Sequence, residues 1–465
     1  MKRHDQPREN KMGVIPIPQL LVSMAVPLML SMLVQACYNI VDSAYVSRFT
    51  EGALTAQDAL TAVSAAFPIQ SVMIAVSTGT GVGMNAMLSR SLGEKKFDEA
   101  SRAANNGAFL AICSALVFVV VGFFIARPFY YSQYPLSPAI VDSGVEYLTI
   151  VTTFSLGLFF QIMFERMMQG TGLSFYTMVT QMSGAVTNII LDPFFIFGIG
   201  PFPRMGVAGA AVATVIGQHV GAAIGIYLNR RYNTEIHVSL REIFHPSARV
   251  IKRIYYVGVP TMVMGSIGSI MYYGMNRILA GFDYAASAVF GVYFKLQSFF
   301  FMPVFGLNNA IVPIVAYNYG AQKRSRMIQC LKTGILLAAA IMGVGTLVFE
   351  TAPAFLLGLF NADEVMLSIG IPAIRIIGIH FPVAAVCIVL GSTFQALGKA
   401  TYSACVSIAR QLVVLLPAAY ILSRVGGLHA IWWAFPMAEI MSLCITSFFF
   451  RRIYRTIISR VEDRT

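Results

Sequence analysis

The chain has 465 residues, 57% of them hydrophobic and 12% charged, with a mean hydropathy of +0.70. So little polar surface excludes a water-soluble globular domain and places most of the chain in lipid. The formal charge of +12 calls for no nucleic-acid partner, because the basic residues gather in the loops on one side of the expected membrane spans.

A hydrocarbon core of about 30 Å is crossed by roughly 20 apolar residues in a helix. Twelve such stretches follow one another, at residues 17–47, 60–88, 103–126, 138–168, 173–198, 206–229, 254–281, 285–320, 327–350, 366–397, 400–423 and 428–450. They predict an all-α membrane protein of twelve transmembrane helices, here called helix one to helix twelve. Residues 1–16, charged and proline-bearing, are expected as an N-terminal cytoplasmic segment. The apolar run behind them is too long for a cleavable signal peptide, so helix one is expected to stay in the protein.

Helix one carries Gln35, Tyr38 and Asp42 at i, i+3 and i+7, a polar stripe on one face. Helix two contains Gly79, Gly81 and Gly83, outside any βαβ context, so they speak for close helix packing and not for dinucleotide binding. Glu146 and Glu165 lie on helix four. Asn188 and Asp192 stand one turn apart on helix five, with Pro193 beside the carboxylate, where proline leaves a backbone carbonyl without its partner. In helix six, Gly209 and Ala213 form a small face that admits a neighbouring helix and brings Thr214 close to it. The basic stretch 230–253 reads as a cytoplasmic linker. Beyond it, Lys295 and Arg375 are expected to snorkel or to meet backbone carbonyls, and His219 and His380 to serve as interhelical or proton-carrying side chains. Glu439 on helix twelve is the main acid of the second half. The six cysteines are scattered without C-x-x-C spacing, which suits apolar packing better than disulfides or metal.

Two patterns organise these helices. Loops and adjoining helix ends on one side hold 25 Lys/Arg and those on the other only five, which predicts both termini in the cytoplasm. An offset of 227 aligns Gln70 with Gln297, Gly79 with Gly306, Gly93 with Gly320 and Lys96 with Lys323; an offset of 226 aligns Gln169 with Gln395, Gly172 with Gly398 and Tyr176 with Tyr402. The chain is therefore expected as two pseudo-symmetric six-helix lobes, 17–229 and 254–450, with a cytoplasmic tail from 451 to 465. Such repeats are related by an axis along the membrane normal and suit alternating access around a central cavity.

Ionisable side chains in mid-bilayer cost about 2.5 to 3.5 kcal/mol on insertion scales and mark functional sites. Asp42, Asn188, Asp192 and Thr214 form a set of hard oxygen ligands, suited to a proton or Na⁺ and not to soft metals. No other metal site is expected. If the two aspartates face one another, their repulsion favours a shared proton.

These residues resemble the multidrug and toxic compound extrusion (MATE) transporters. The likeness rests on Tyr38-Asn-Ile-Val-Asp42, Gln169-Gly-Thr-Gly172, Asn188-Ile-Ile-Leu-Asp192-Pro193 and Gly206-Val-Ala-Gly-Ala-Ala-Val-Ala-Thr214 within two six-helix halves. It implies a V-shaped pair of lobes, and an antiporter in the plasma membrane that exports small organic cations and amphipathic drugs in exchange for H⁺ or Na⁺. No cofactor beyond that ion, and a monomer in the lipid bilayer, are implied. The same resemblance assigns cation coupling to Asp42, Asn188, Asp192 and Thr214, with Na⁺, if used, held by the first three. It assigns the substrate cavity to Gln35, Tyr38, Tyr147 and Glu165, where Glu165 replaces an asparagine common among relatives. Helix seven reads Gly258-Val-Pro260-Thr-Met-Val-Met-Gly-Ser and lacks the acid of another branch, so no second cation site is expected on it. The alternative within the superfamily is a flippase of lipid-linked precursors, against which the acidic first half speaks. A membrane enzyme is excluded by the lack of any nucleophile–base or metal-ligand constellation.

A fluorescent protein that matures only in the cytoplasm, fused after Thr465, should fluoresce. A dark but full-length fusion would contradict the charge-based orientation.

Overall fold

The computed structural model describes residues 10–46, 48–49, 55–133, 138–282, 284–360 and 362–463. Residues 1–9 of the expected N-terminal segment and the last two of the tail lie outside the described residues, as do the side chains of Asn39 and Ile40. Among the described residues every regular element is helical. Nine helices among the described residues are long and apolar enough to cross a bilayer, eleven when each of two bent pairs is one span. The remaining expected crossing is helix five, Ser174–Phe197. Its 24 residues extend about 36 Å at 1.5 Å each, so length is not what sets it apart. It carries Gln181, Asn188 and Asp192, and these polar side chains dilute its apolar character.

The sequence repeat has a physical counterpart in the backbone. Helix four is broken between Pro138–Thr153 and Leu156–Gly170 with a 45° bend, and helix ten between Glu364–Gly378 and Phe381–Ala396 with a 47° bend. The 226-residue offset carries Phe154 in the first break onto His380 in the second. The turns that follow also match. Gly172 and Gly398 take left-handed φ of 86° and 72°, a conformation glycine adopts without a Cβ penalty. Behind each, a backbone N–H closes the helix end, Leu173 to the Met168 carbonyl and Lys399 to the Phe394 carbonyl, both at 2.7 Å. Lys95 and Gln322, related by the other offset, share φ of 57° and 56°. Tyr176 stacks on Tyr232 and its counterpart Tyr402 on Phe449, with ring centroids 4.4 Å apart in each case.

The chain divides into two compact units, one of Met1–Met29, Ser89–Lys95 and Val263–Thr465, the other of Leu30–Leu88 and Lys96–Met262. In the first, Tyr293, Phe349, Phe381 and Phe435 interlock as edge-on and tilted rings with centroids 5.0 to 6.3 Å apart. This geometry favours aromatic pairs beyond their simple burial. A short helix, Lys11–Val14, is clasped by Asn318 and Arg326, which donate to the Met12 carbonyl at 3.1 and 3.0 Å. Helix eleven contains a stretch of π helix, Ala409–Leu415, a form frequent at functional positions.

In the second unit, helix five packs tightly on helix six, Gly206–Tyr232. Gly184 and Gly217 face each other so closely that a Cβ on either would lie 3.0 or 2.7 Å from the other's carbonyl oxygen. Gly209 has no room either, since a Cβ there would run into the Phe195 carbonyl. The basic stretch 230–253 is held against helix three, Phe97–Gln133. Asn105 donates to the His237 carbonyl at 2.8 Å and to Glu242 Oε2 at 2.7 Å, while Asn106 Oδ1 accepts from Ser247 N–H at 2.8 Å.

Gly209→Val is expected to force helices five and six apart at a cost of about 1–3 kcal/mol, read as a lower unfolding temperature of the detergent-solubilised protein. Gly343→Ala, where nothing lies within 4 Å, should leave that temperature unchanged.

Candidate functional site

The glycine contacts between helices five and six set the site. With Gly217 against Gly184, the Asn188 side chain meets helix six, and its Nδ2 donates to Thr214 Oγ1 at 3.1 Å. Asn188 and Thr214 are both buried. From helix one, Ile17–Val46, Tyr38 comes close to Thr214, and the Asp42 carboxyl close to the Asp192 carboxyl. Tyr147, 3% exposed, closes the group from the first segment of helix four, with Gln70 Nε2 donating to its hydroxyl at 3.1 Å.

The cluster is short of donors. Asp42 Oδ1, Asn188 Oδ1 and both carboxyl oxygens of Asp192 are buried with no hydrogen-bond donor on them among the described residues. Unmet acceptors of this kind are rare in folded proteins, and each asks for an explanation. Among the described residues, no lysine or arginine pairs with either aspartate. Two bare carboxylates that face each other in low dielectric repel strongly. A proton shared between them, or a small hard cation bound by the four oxygens, removes that repulsion and supplies the missing partner.

The second half arranges its charge differently. Glu439, 2% exposed, meets Arg410 on the π stretch of helix eleven, with Nη1 to Oε2 at 3.1 Å. Its charge is therefore balanced inside the fold. Arg375 donates to the Glu350 carbonyl at 3.2 Å, as expected of an arginine near a span. The Lys295 ammonium lies 5.9 Å from the centre of the Phe360 ring, and His380 Nδ1 lies 2.5 Å from the Ile377 carbonyl.

The structure thus brings together Tyr38, Asp42, Tyr147, Asn188, Asp192 and Thr214. Gln35 is half-buried one turn before Tyr38, and no described hydrogen bond joins it to the pair. Glu165 stands apart. Its carboxyl accepts from Gln161 at 3.0 Å and its backbone carbonyl from Thr177 at 3.2 Å. Glu146 is exposed on helix four. Sequence reasoning passed over Gln70, Gln161 and Arg410. Gln70 had left a signal in the repeat. It aligns with Gln297, and that glutamine also bonds a tyrosine, accepting from the Tyr293 hydroxyl at 2.6 Å.

Comparison with known proteins follows the same lines. The family model described as MatE matches residues 27–194 and 260–421, which covers most of both halves and every residue of the acid cluster but Thr214. The chain belongs to the MATE family. Its members are transporters and not enzymes. Multidrug export protein MepA of Staphylococcus aureus (strain MRSA252) is 24% identical to this MATE protein over 436 residues, 92% of either chain. The protein of that name from Staphylococcus haemolyticus (strain JCSC1435) is 25% identical over 429 residues, 91% of either chain. Among solved structures, an outward-facing multidrug resistance MATE family transporter of the MOP superfamily superposes with a TM-score of 0.88 at 22% identity, over 97% of this chain and 99% of that one. A MOP superfamily transporter from Pyrococcus furiosus Vc1, described by a binding pocket of reversed polarity, gives 0.85 at 23% identity over 98% and 99%.

Gln70→Leu and Tyr147→Phe should each weaken transport, and the double variant should be no worse than the poorer single one. The coupling read from such a cycle is expected at about 0.5–1.5 kcal/mol. Strict additivity of the two losses would show that the hydrogen bond does not matter to transport.

Proposed function

We propose that this MATE protein is a secondary antiporter that exports organic cations and amphipathic drugs from the cell in exchange for H⁺ or Na⁺, with Asp42 and Asp192 as the shared binding charge. The observation that carries this reading is the donor-poor pair of carboxyls in the first half, which has no basic partner among the described residues. Relatives that bear the name of multidrug export proteins support the choice of substrate.

The chemistry follows from competition. An inward-moving ion neutralises the pair and leaves an organic cation without its counter-charge, so the cargo departs. Cargo loading from the cytoplasm in turn requires the pair to be ionised, so the ion must leave first. Each occupant thereby excludes the other, which couples the two fluxes when the halves open alternately to either side of the membrane. Asn188 and Thr214 position the Asp192 end of the site, and Tyr38 and Tyr147 supply aromatic faces that attract cations, with Gln35 further along the same wall. The charge asymmetry of the loops supports both termini in the cytoplasm, and the likeness to MATE transporters supports a monomer in the plasma membrane. A flippase of lipid-linked phosphates would want a basic cavity, which this cluster is not.

Ethidium efflux from reconstituted vesicles, driven by a pH gradient alone and then by a Na⁺ gradient alone, identifies the ion. Asp42→Asn and Asp192→Asn are each expected to lower the driven efflux by at least about tenfold while the protein still elutes as a folded species. Undiminished efflux from both variants would refute the mechanism.

A further inference from the structure

We propose that Glu165 is the inner station of the coupling proton, through which a proton held between Asp42 and Asp192 leaves toward the face of the membrane that carries both termini. The proposal rests on the antiport reading above, with H⁺ as the ion.

Glu165 is 6% exposed and plays no part in the acid cluster, yet an ionisable side chain in such a place costs several kcal/mol unless it is used. Its surroundings connect it to that cluster. Gln161 Nε2 donates to Glu165 Oε1 at 3.0 Å. The Gln161 amide also lies against helices five and six, where a Cβ on Gly184 would sit 3.5 Å from its Nε2 and one on Gly221 2.9 Å from its Oε1. Gly184 is two turns, about 12 Å, from Asp192 along helix five, and Asn188 stands half-way with its Oδ1 lacking a donor. Oxygen acceptors therefore recur about one turn apart, from Asp192 to Asn188 to Gln161 to Glu165. Glycines at 184, 217 and 221 leave room for these polar side chains between the helices. At the far end only a carboxyl can exchange protons; an amide there would satisfy the packing equally well.

One positive charge stands beside Glu165. Arg166, next to it on helix four, is 8% exposed, donates to Gln169 Oε1 at 3.0 Å and interacts electrostatically with the Glu165 carboxylate. Helices two, five and six present Asn85, Thr177 and Asn229, all neutral. His219 on helix six lies against Gly157, exposed and bonded to the Val215 carbonyl. In the step itself, the O–H bond at the aspartate pair breaks as water takes the proton, and an O–H bond forms on the Glu165 carboxylate. That proton then passes to bulk water on the side of the termini, and the pair is left ionised for a cationic cargo.

The test compares Glu165→Gln and Glu165→Asp with the unaltered protein in vesicles. One assay measures ethidium efflux driven by a pH gradient; the other measures exchange of labelled for unlabelled ethidium with no gradient, which needs no proton transfer. Glu165→Gln should lower the driven efflux on the order of tenfold, leave exchange unchanged, and be largely rescued by Glu165→Asp. Undiminished driven efflux, or an equal loss in both assays, would overturn the relay. Efflux of the unaltered protein that follows Na⁺ and ignores pH would overturn it as well, leaving the antiport intact. Full activity of both Asp42→Asn and Asp192→Asn would instead remove the antiport reading itself.

Discussion

Two carboxyl groups, one on helix one and one on helix five, face each other inside an apolar bundle with almost nothing to donate to them. Charge of like sign in low dielectric is among the most expensive arrangements a fold can hold, and it persists here because the surrounding helices leave the groups no alternative. Pro193 follows one carboxylate directly, the Gly184–Gly217 contact fixes helix six at its side, and Gln70 holds the Tyr147 hydroxyl by a hydrogen bond. A positive charge or a proton between its members relieves that repulsion. Under the antiport proposed above, an ion and an organic cation would be alternative occupants.

The second half shows what the same architecture looks like without that demand. Its bent helix, its left-handed glycine and its stacked aromatic pair repeat those of the first half, so the backbone plan is shared. Its buried acid, Glu439, is matched by Arg410. A buried ion pair of this kind can hold a specific geometry, but it offers no net charge to a mobile cation. The difference in buried charge between the halves thus comes from a few side chains laid on a common frame.

Polarity carries a structural price in lipid that is visible in helix five. It is the expected crossing that falls short of the apolar standard met by the others, and two of the three residues that reduce it, Asn188 and Asp192, belong to the acid cluster. Burial against helix six shields them from lipid, and the close glycine contacts that make this burial possible are as much a part of the site as the side chains.

Much of this was legible in the order of residues. Helix number, the six-plus-six repeat, the stripe on helix one and the Asn188–Asp192 pair all follow from periodicity and hydropathy, since a residue's place on its own helix depends on spacing alone. Which helices touch does not. That Tyr147 joins the pair while Glu165, on the second segment of the same bent span, does not, was set by the break in helix four and the depth at which each segment meets helices five and six. Gln161 and Arg410 acquired meaning only from partners four residues away or on another helix, and Gln70 from a tyrosine 77 positions along the chain. Sequence determined which groups are too polar for lipid; tertiary packing decided which of them share a site, because the distance between side chains on different helices is fixed by helix contacts that no local pattern encodes.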